Sequence, residues 1–250
     1  MEIDKSKVAV ILAGGLGSRL GNLTKKIPKP LIKVGTKPII LHILEIYLKF
    51  GINNFILAIG YKGNEIVKYF TSRKIYFKKK LIIKKKINNK FCQITLVKTG
   101  INTMTGGRIK RLKNEINSEN FFLTYGDGVS NVNLKKLENF HFKHGKLVTV
   151  TAVHPIPRFG EIDIHKNRVT RFSEKKRSTK IWINGGFFIF NKKFLRYIKN
   201  DSTILEREPL EKAAKKKQMF AFKHRGFWQC MDTKRDKDLL SNLLKKIKPW

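Results

Sequence analysis

What this 250-residue sequence has least of is cysteine, acid and uninterrupted apolar sequence. Its two cysteines, Cys92 and Cys230, form no metal or redox motif, so a reducing cytoplasm is the expected compartment. No run of about 18 apolar residues occurs, and no transmembrane helix is expected. Met1-Glu2-Ile3-Asp4-Lys5 carries none of the apolar stretch of a signal peptide. No low-complexity linker or internal repeat divides the chain. With 41% hydrophobic residues it reads as a single domain, 1–250, with a sizeable core. Asp and Glu number 18 against 54 Lys and Arg, a net charge of +36. Such an excess first suggests nucleic acid, because phosphate affinity scales with neutralised charge. The lysines are scattered, however, with short runs such as Lys78-Lys79-Lys80, Lys84-Lys85-Lys86 and Lys215-Lys216-Lys217, and no zinc-finger or RNA-recognition pattern organises them. The expectation is therefore solvated faces, with no nucleic-acid or membrane partner, and a field that speeds the arrival of anionic substrates.

What is present begins at Val8-Ala9-Val10-Ile11-Leu12-Ala13-Gly14-Gly15-Leu16-Gly17-Ser18-Arg19-Leu20, followed by Ile27-Pro28-Lys29-Pro30-Leu31. The apolar half predicts a buried strand. The glycines that follow let the backbone turn sharply, approach a ligand closely and aim its N–H groups at phosphate oxygens. Arg19 and Lys29 add cations, the second on a segment stiffened by two prolines. Together they suggest a nucleoside triphosphate site. The G-x-x-x-x-G-K-[ST] loop is absent, and G-x-G-x-x-G fails because Leu20 stands at its third glycine.

The pattern L-A-G-G-x-G-[ST]-R-L followed by P-K-P resembles the signature of the sugar-1-phosphate nucleotidyltransferases. The rest of the chain is consistent with an α/β fold. Ile39 to Phe50 is predicted as a helix stopped by Gly51, Asn54 to Ile59 as a second buried strand, and the stretch up to Phe70 as a short helix. This is the βαβ rhythm of a parallel sheet. Residues 71–100 break it and read as a hairpin or extended arm, an insertion of a kind that often packs between subunits. Asn102 to Arg108 precedes a helix expected from about Ile109 to Ile116, and Gly106-Gly107 at its start favours an anion. Phe121 to Tyr125 is a third strand. Asn133 caps a helix reaching Gly145, whose His141 and His144 read as partly exposed histidines without a third ligand. Leu147 to Val153 is a fourth strand, 158–164 and 168–172 pair around His165-Lys166-Asn167, and Ile181 to Phe190 is a strand interrupted by Gly185-Gly186. Two more helical patterns flank Phe220 to Asp232.

Nucleotidyl transfer is an in-line displacement at the α-phosphorus, with pyrophosphate leaving. It needs two polyanions held together and the developing charge stabilised by a divalent cation and fixed cations. Asp127 follows a buried strand and sits between glycines that leave room for a hydrated ion, although a turn with Gly128 is an equal reading. Asp232 is the second acid, unless it or Thr233 caps the last helix. The resemblance implies that Asp127 and Asp232 hold Mg²⁺. It implies a triphosphate cradle from Leu12 through Ala13, Gly14, Gly15, Leu16, Gly17 and Ser18 to Arg19, with Lys29 on the phosphates, Gly126 beside the metal acid, and Thr103 and Arg108 at the nucleotide. Glu174-Lys175 and Asn184-Gly185 correspond to its sugar-binding elements, although Lys176 stands where proline is usual. The implied fold is a doubly wound, mostly parallel Rossmann-like sheet with helices on both faces. Met104 to Arg108, Tyr125-Gly126-Asp127-Gly128-Val129, Arg158-Phe159-Gly160, Ile183 to Phe188, Glu208-Pro209-Leu210 and Gly226-Phe227-Trp228-Gln229 narrow the resemblance to the branch acting on CTP and α-D-glucose 1-phosphate, as a homo-oligomer. A UTP- or dTTP-using relative is the alternative. A basic nucleic-acid-binding protein on the same shell is a more distant one.

Overall fold

The computed structural model describes residues 3–155, 159–174, 181–247 and 249–250. β1 (Val8–Ala13) leads through the glycine loop to α1 (Asn22–Lys26), the two-residue strands β2 (Lys33–Val34) and β3 (Lys37–Pro38), and α2 (Ile39–Lys49). β4 (Asn54–Ile59), α3 (Gly63–Thr71), β5 (Lys80–Ile87) and β6 (Lys90–Lys98) follow, then α4 (Thr105–Arg111), β7 (Asn120–Tyr125), β8 (Gly128–Ser130), α5 (Leu134–His144) and β9 (Val148–Val153). The last third holds β10 (Glu161–His165), β11 (Arg168–Ser173), β12 (Ile183–Asn184), β13 (Phe188–Asn191), α6 (Glu208–Lys215), β14 (Met219–His224), β15 (Trp228–Cys230) and α7 (Lys234–Lys246).

Nine strands make the main sheet in the order β12-β9-β13-β7-β1-β4-β6-β5, with β14 also paired to β9. β1 pairs in parallel with both β4 and β7, β4 with β6, and β9 with β14, whereas β5, β12 and β13 run antiparallel to their neighbours. Strand alternation divides the apolar side chains of β1 between two cores. Ala9, Ile11 and Ala13 join α2 and α3, while Val8, Val10 and Leu12 join Ile109, Phe194 and Leu210. This two-faced burial explains why the parallel strands are nearly continuous apolar runs. α2 ends in a Schellman pair, Gly51 N–H to Leu48 carbonyl at 3.3 Å and Ile52 N–H to Tyr47 carbonyl at 3.2 Å. β12 and β13 are one strand broken at Gly185-Gly186-Phe187: Ile183 faces Val153, but Ile189 faces Thr149.

Three features differ from the sequence reading. The 71–100 stretch does contain a hairpin turning at Asn88-Asn89, both at positive φ, but its second strand lies inside the main sheet beside β4. α4 begins at Thr105, not Ile109, so Gly106 and Gly107 form its first turn. That turn is no anion site: the Gly106 and Gly107 N–H groups both donate to the Thr203 carbonyl, at 3.0 and 3.2 Å. His141 is buried rather than partly exposed. Its Nε2–H donates to Asn120 Oδ1 at 3.0 Å, and its Nδ1 accepts from the Thr149 hydroxyl at 2.8 Å.

Candidate active site

The glycine loop leaves the C-terminal end of β1, where an open α/β sheet exposes strand ends to ligands. Among the described residues, the backbone N–H groups of Gly15, Leu16 and Gly17 make no hydrogen bond within the chain. Gly17 turns at φ 67°, a left-handed conformation that ordinary side chains resist, and opens the short 3₁₀ turn Ser18–Leu20 that carries Arg19. At Gly14 the constraint is space, because a Cβ there would overlap the Arg108 guanidinium and the Gly60 nitrogen.

Lys29 opens a second 3₁₀ turn, Lys29–Leu31, between Pro28 and Pro30. Its ammonium lies 2.5 Å from Asp127 Oδ2 and 2.6 Å from Asp232 Oδ1. Arg19, 71% exposed, donates to the other oxygen of Asp232 at 2.7 Å. Burial on its own would lower the Lys29 pKa, but the charges and hydrogen bonds of Asp127 and Asp232 outweigh it and hold the group above its usual value. A small ladder brings the two acids together. β8 and β15 pair antiparallel, Gly128 facing Cys230, and Met231 N–H donates to the Asp127 carbonyl at 2.8 Å. Asp127 therefore precedes one strand where Asp232 follows the other. The cap of α7 falls to Thr233, which forms a capping box with Asp236 and leaves the Asp232 carboxylate to the site.

These residues share one cavity of about 1320 Å³, lined by Leu12 through Arg19, Lys29, Thr103, Arg108, Gly126, Asp127, Asn184 and Asp232. Two hard carboxylates within hydrogen-bond reach of one cationic nitrogen suit a hydrated divalent cation, which usually takes one or two protein carboxylates. Among the described residues no cluster of three or more His, Cys, Asp or Glu is present.

Several residues stand differently from expectation. Arg108 lines the cavity, but its guanidinium is buried and donates to Thr99 Oγ1, Gly100 carbonyl, Gly14 carbonyl and Ile101 carbonyl. It braces the glycine loop from beneath. Desolvation, then Arg111, lowers its pKa. Gly185 lies behind Asn184, its N–H spent on Thr151 and its carbonyl on Trp228 Nε1. Glu174 directly follows β11, at the end of an exposed ribbon, and is not on the cavity wall: β10 and β11 pair with each other, off the main sheet. Lys175 and Arg158 lie outside the described residues. Sequence reasoning missed Thr105, Tyr125 and Glu206, all on the cavity wall. Tyr125 directly precedes Gly126-Asp127, and Glu206 stands two residues before Glu208-Pro209-Leu210, so proximity to noted motifs was their only signal.

Residues 8–239 match the family described as nucleotidyl transferase. Glucose-1-phosphate cytidylyltransferase of Salmonella typhimurium (strain LT2) is 43% identical over 251 residues, covering 97% of this chain and 98% of its own. Mannose-1-phosphate guanylyltransferase catalytic subunit beta of Xenopus tropicalis is 31% identical over 94% of this chain and 63% of its own. HddC from Yersinia pseudotuberculosis, crystallised with GMP-PN, superposes with a TM-score of 0.72 at 23% identity, covering 95% of this chain and 99% of its own, which shows a common fold.

Proposed function

This chain belongs to the nucleotidyl transferase family, and from that premise we propose that it transfers a cytidylyl group from CTP to α-D-glucose 1-phosphate, yielding CDP-glucose and pyrophosphate. One oxygen of the sugar phosphate attacks the α-phosphorus, a new P–O bond forms, and the bond to the bridging oxygen of the β-phosphate breaks in line. No group of the chain needs to be covalently modified. The open amides of Gly15, Leu16 and Gly17 receive triphosphate oxygens, Lys29 and Arg19 bind the charge, and Asn184 faces the sugar side. Members of this family generally use a divalent metal. We assign Mg²⁺ to Asp127 and Asp232, where it would neutralise phosphate charge that grows as the displacement proceeds. The choice of base and sugar rests on the full-length similarity to the Salmonella cytidylyltransferase.

The observation that carries the reading is the convergence of the Asp127 and Asp232 carboxylates on the Lys29 ammonium, beside a loop of open amides. Exposed Ile164, Val169 and Phe172 on the β10/β11 ribbon support a homo-oligomer, and two free cysteines support a reducing cytoplasm. No described helix is long and apolar enough to cross a membrane. The test offers CTP, UTP, dTTP and GTP, each with glucose 1-phosphate and Mg²⁺, and measures pyrophosphate. CTP is expected to turn over at least tenfold faster than the rest, and Asp127→Asn to lower kcat about a hundredfold. Equal turnover of all four removes the cytidylyl assignment. Pyrophosphate release by none, together with tight salt-sensitive DNA binding, overturns the enzymatic reading.

A further inference from the structure

Glu206, on the segment entering α6, is half-buried in the cavity wall. The Tyr125 hydroxyl donates to its Oε1 at 2.6 Å and the Thr105 hydroxyl to its Oε2 at 2.7 Å. Asn184 Nδ2 donates to the Tyr125 hydroxyl oxygen at 3.2 Å, and Asn184 Oδ1 accepts from Gly186 N–H at 2.8 Å. One end of this chain of bonds sets the rest. Both carboxylate oxygens of Glu206 accept, so both hydroxyl protons are committed to it and the tyrosine oxygen is left to accept from Asn184.

Among the described residues no lysine or arginine pairs with Glu206, although the chain has 54 of them. A bare carboxylate in the wall of a cavity built for polyanions repels a phosphate brought close to it. It has about four acceptor positions, and the protein fills two. A ligand rich in hydroxyl hydrogens and poor in charge meets the remainder. The sugar phosphate has such a part, its ring, and an opposite anionic end that suits Lys29 and the open amides.

We propose that Glu206 determines specificity in the sugar subsite: its carboxylate accepts hydroxyl hydrogens of the hexose and so turns the phosphate toward Lys29. This rests on the sugar-phosphate reading above. Failure of that reading shows as no turnover by the unaltered protein, whereas failure here shows only in the variants. The exocyclic amine of cytosine is also a donor that carboxylates accept from, and the experiment separates the two ligands.

Glu206→Gln keeps the shape but turns one acceptor into a donor. KM for glucose 1-phosphate is measured at saturating CTP, KM for CTP at saturating glucose 1-phosphate, and CTP binding by calorimetry. The expected result is a sugar-phosphate KM at least tenfold higher, with CTP KM and Kd within twofold. With monodeoxyglucose 1-phosphates, the unaltered protein should reject at least one by tenfold or more relative to glucose 1-phosphate, and the variant should lose that rejection. An unchanged sugar-phosphate KM, or a rise confined to CTP, overturns the proposal. If Glu206→Gln no longer binds CTP, Thr105→Val decides. It removes one anchoring hydroxyl without changing charge and should raise the sugar-phosphate KM at least threefold; no change overturns the proposal.

Discussion

Arg108 spends a full positive charge on peptide carbonyls and a threonine hydroxyl, and among the described residues no carboxylate pairs with its guanidinium. That arrangement costs desolvation, and it fixes the glycine loop through the Gly14 carbonyl at 2.9 Å. Gly14→Ala should therefore act beyond its own position, because the new methyl displaces the guanidinium that holds 99–101 and the loop together. A triphosphate KM at least tenfold higher and a lower Tm are expected, measured by steady-state kinetics and thermal unfolding; a neutral outcome would deny Arg108 its bracing role. The places of the glycine loop and Lys29 on one cavity were legible from contiguous motifs, whereas Asp127 and Asp232 stood out from a turn residue and a helix cap only through the family resemblance. The function of Arg108 was not legible, since its partners come from two separate loops. Glu206 was illegible for the same reason: its partners lie 81 and 101 residues away in sequence.

Among the elements, α7 shows how a cap serves a site. Asp236 Oδ2 accepts from the Asp232 N–H at 3.1 Å and from the Thr233 N–H at 2.8 Å, so the first turn of the helix fastens the backbone that presents Asp232. Thr233→Ala removes half of the capping box and should cost about 1 kcal/mol, or roughly 2–4 °C in Tm for a domain of this size. Because Asp232 is loosened with it, kcat should fall severalfold in the same variant, and a Tm loss without a kinetic effect would separate cap from site. Strands and helices of the βαβ half were readable from period and caps. The start of α4 was not: Gly-Gly read as a break, but tertiary contact decides there, with residues 200–203 packed so closely that only glycine fits. The place of β6 was equally hidden, since its parallel pairing with β4 leaves no mark in the alternation of either strand.

For the molecule as a whole, the pH response follows from a buried histidine. Burial, and then His144, lowers the His141 pKa to about 4 from 6.5. The unfolded chain therefore takes up this proton first as pH falls, so the folded state is favoured above pH 6.5 and loses stability between pH 6.5 and about 4, by up to about 1.4 kcal/mol per pH unit. His141→Gln should flatten the dependence of the urea midpoint on pH across that window, and identical slopes in both proteins would refute the assignment. From sequence alone this histidine reads as partly exposed, because helical period does not reveal that Asn120 and Thr149 hydrogen-bond to its ring.

The ammonium of Lys29 is answered by one acid 98 residues further along the chain and another 203 residues further along. During synthesis, a ribosome that has released the chain only through β14 has delivered the phosphate loop and the first acid, but not the second. The segment after β14 is thus a clasp made after the rest of the site, and a nascent chain becomes competent for its chemistry only once Asp232 has left the ribosome.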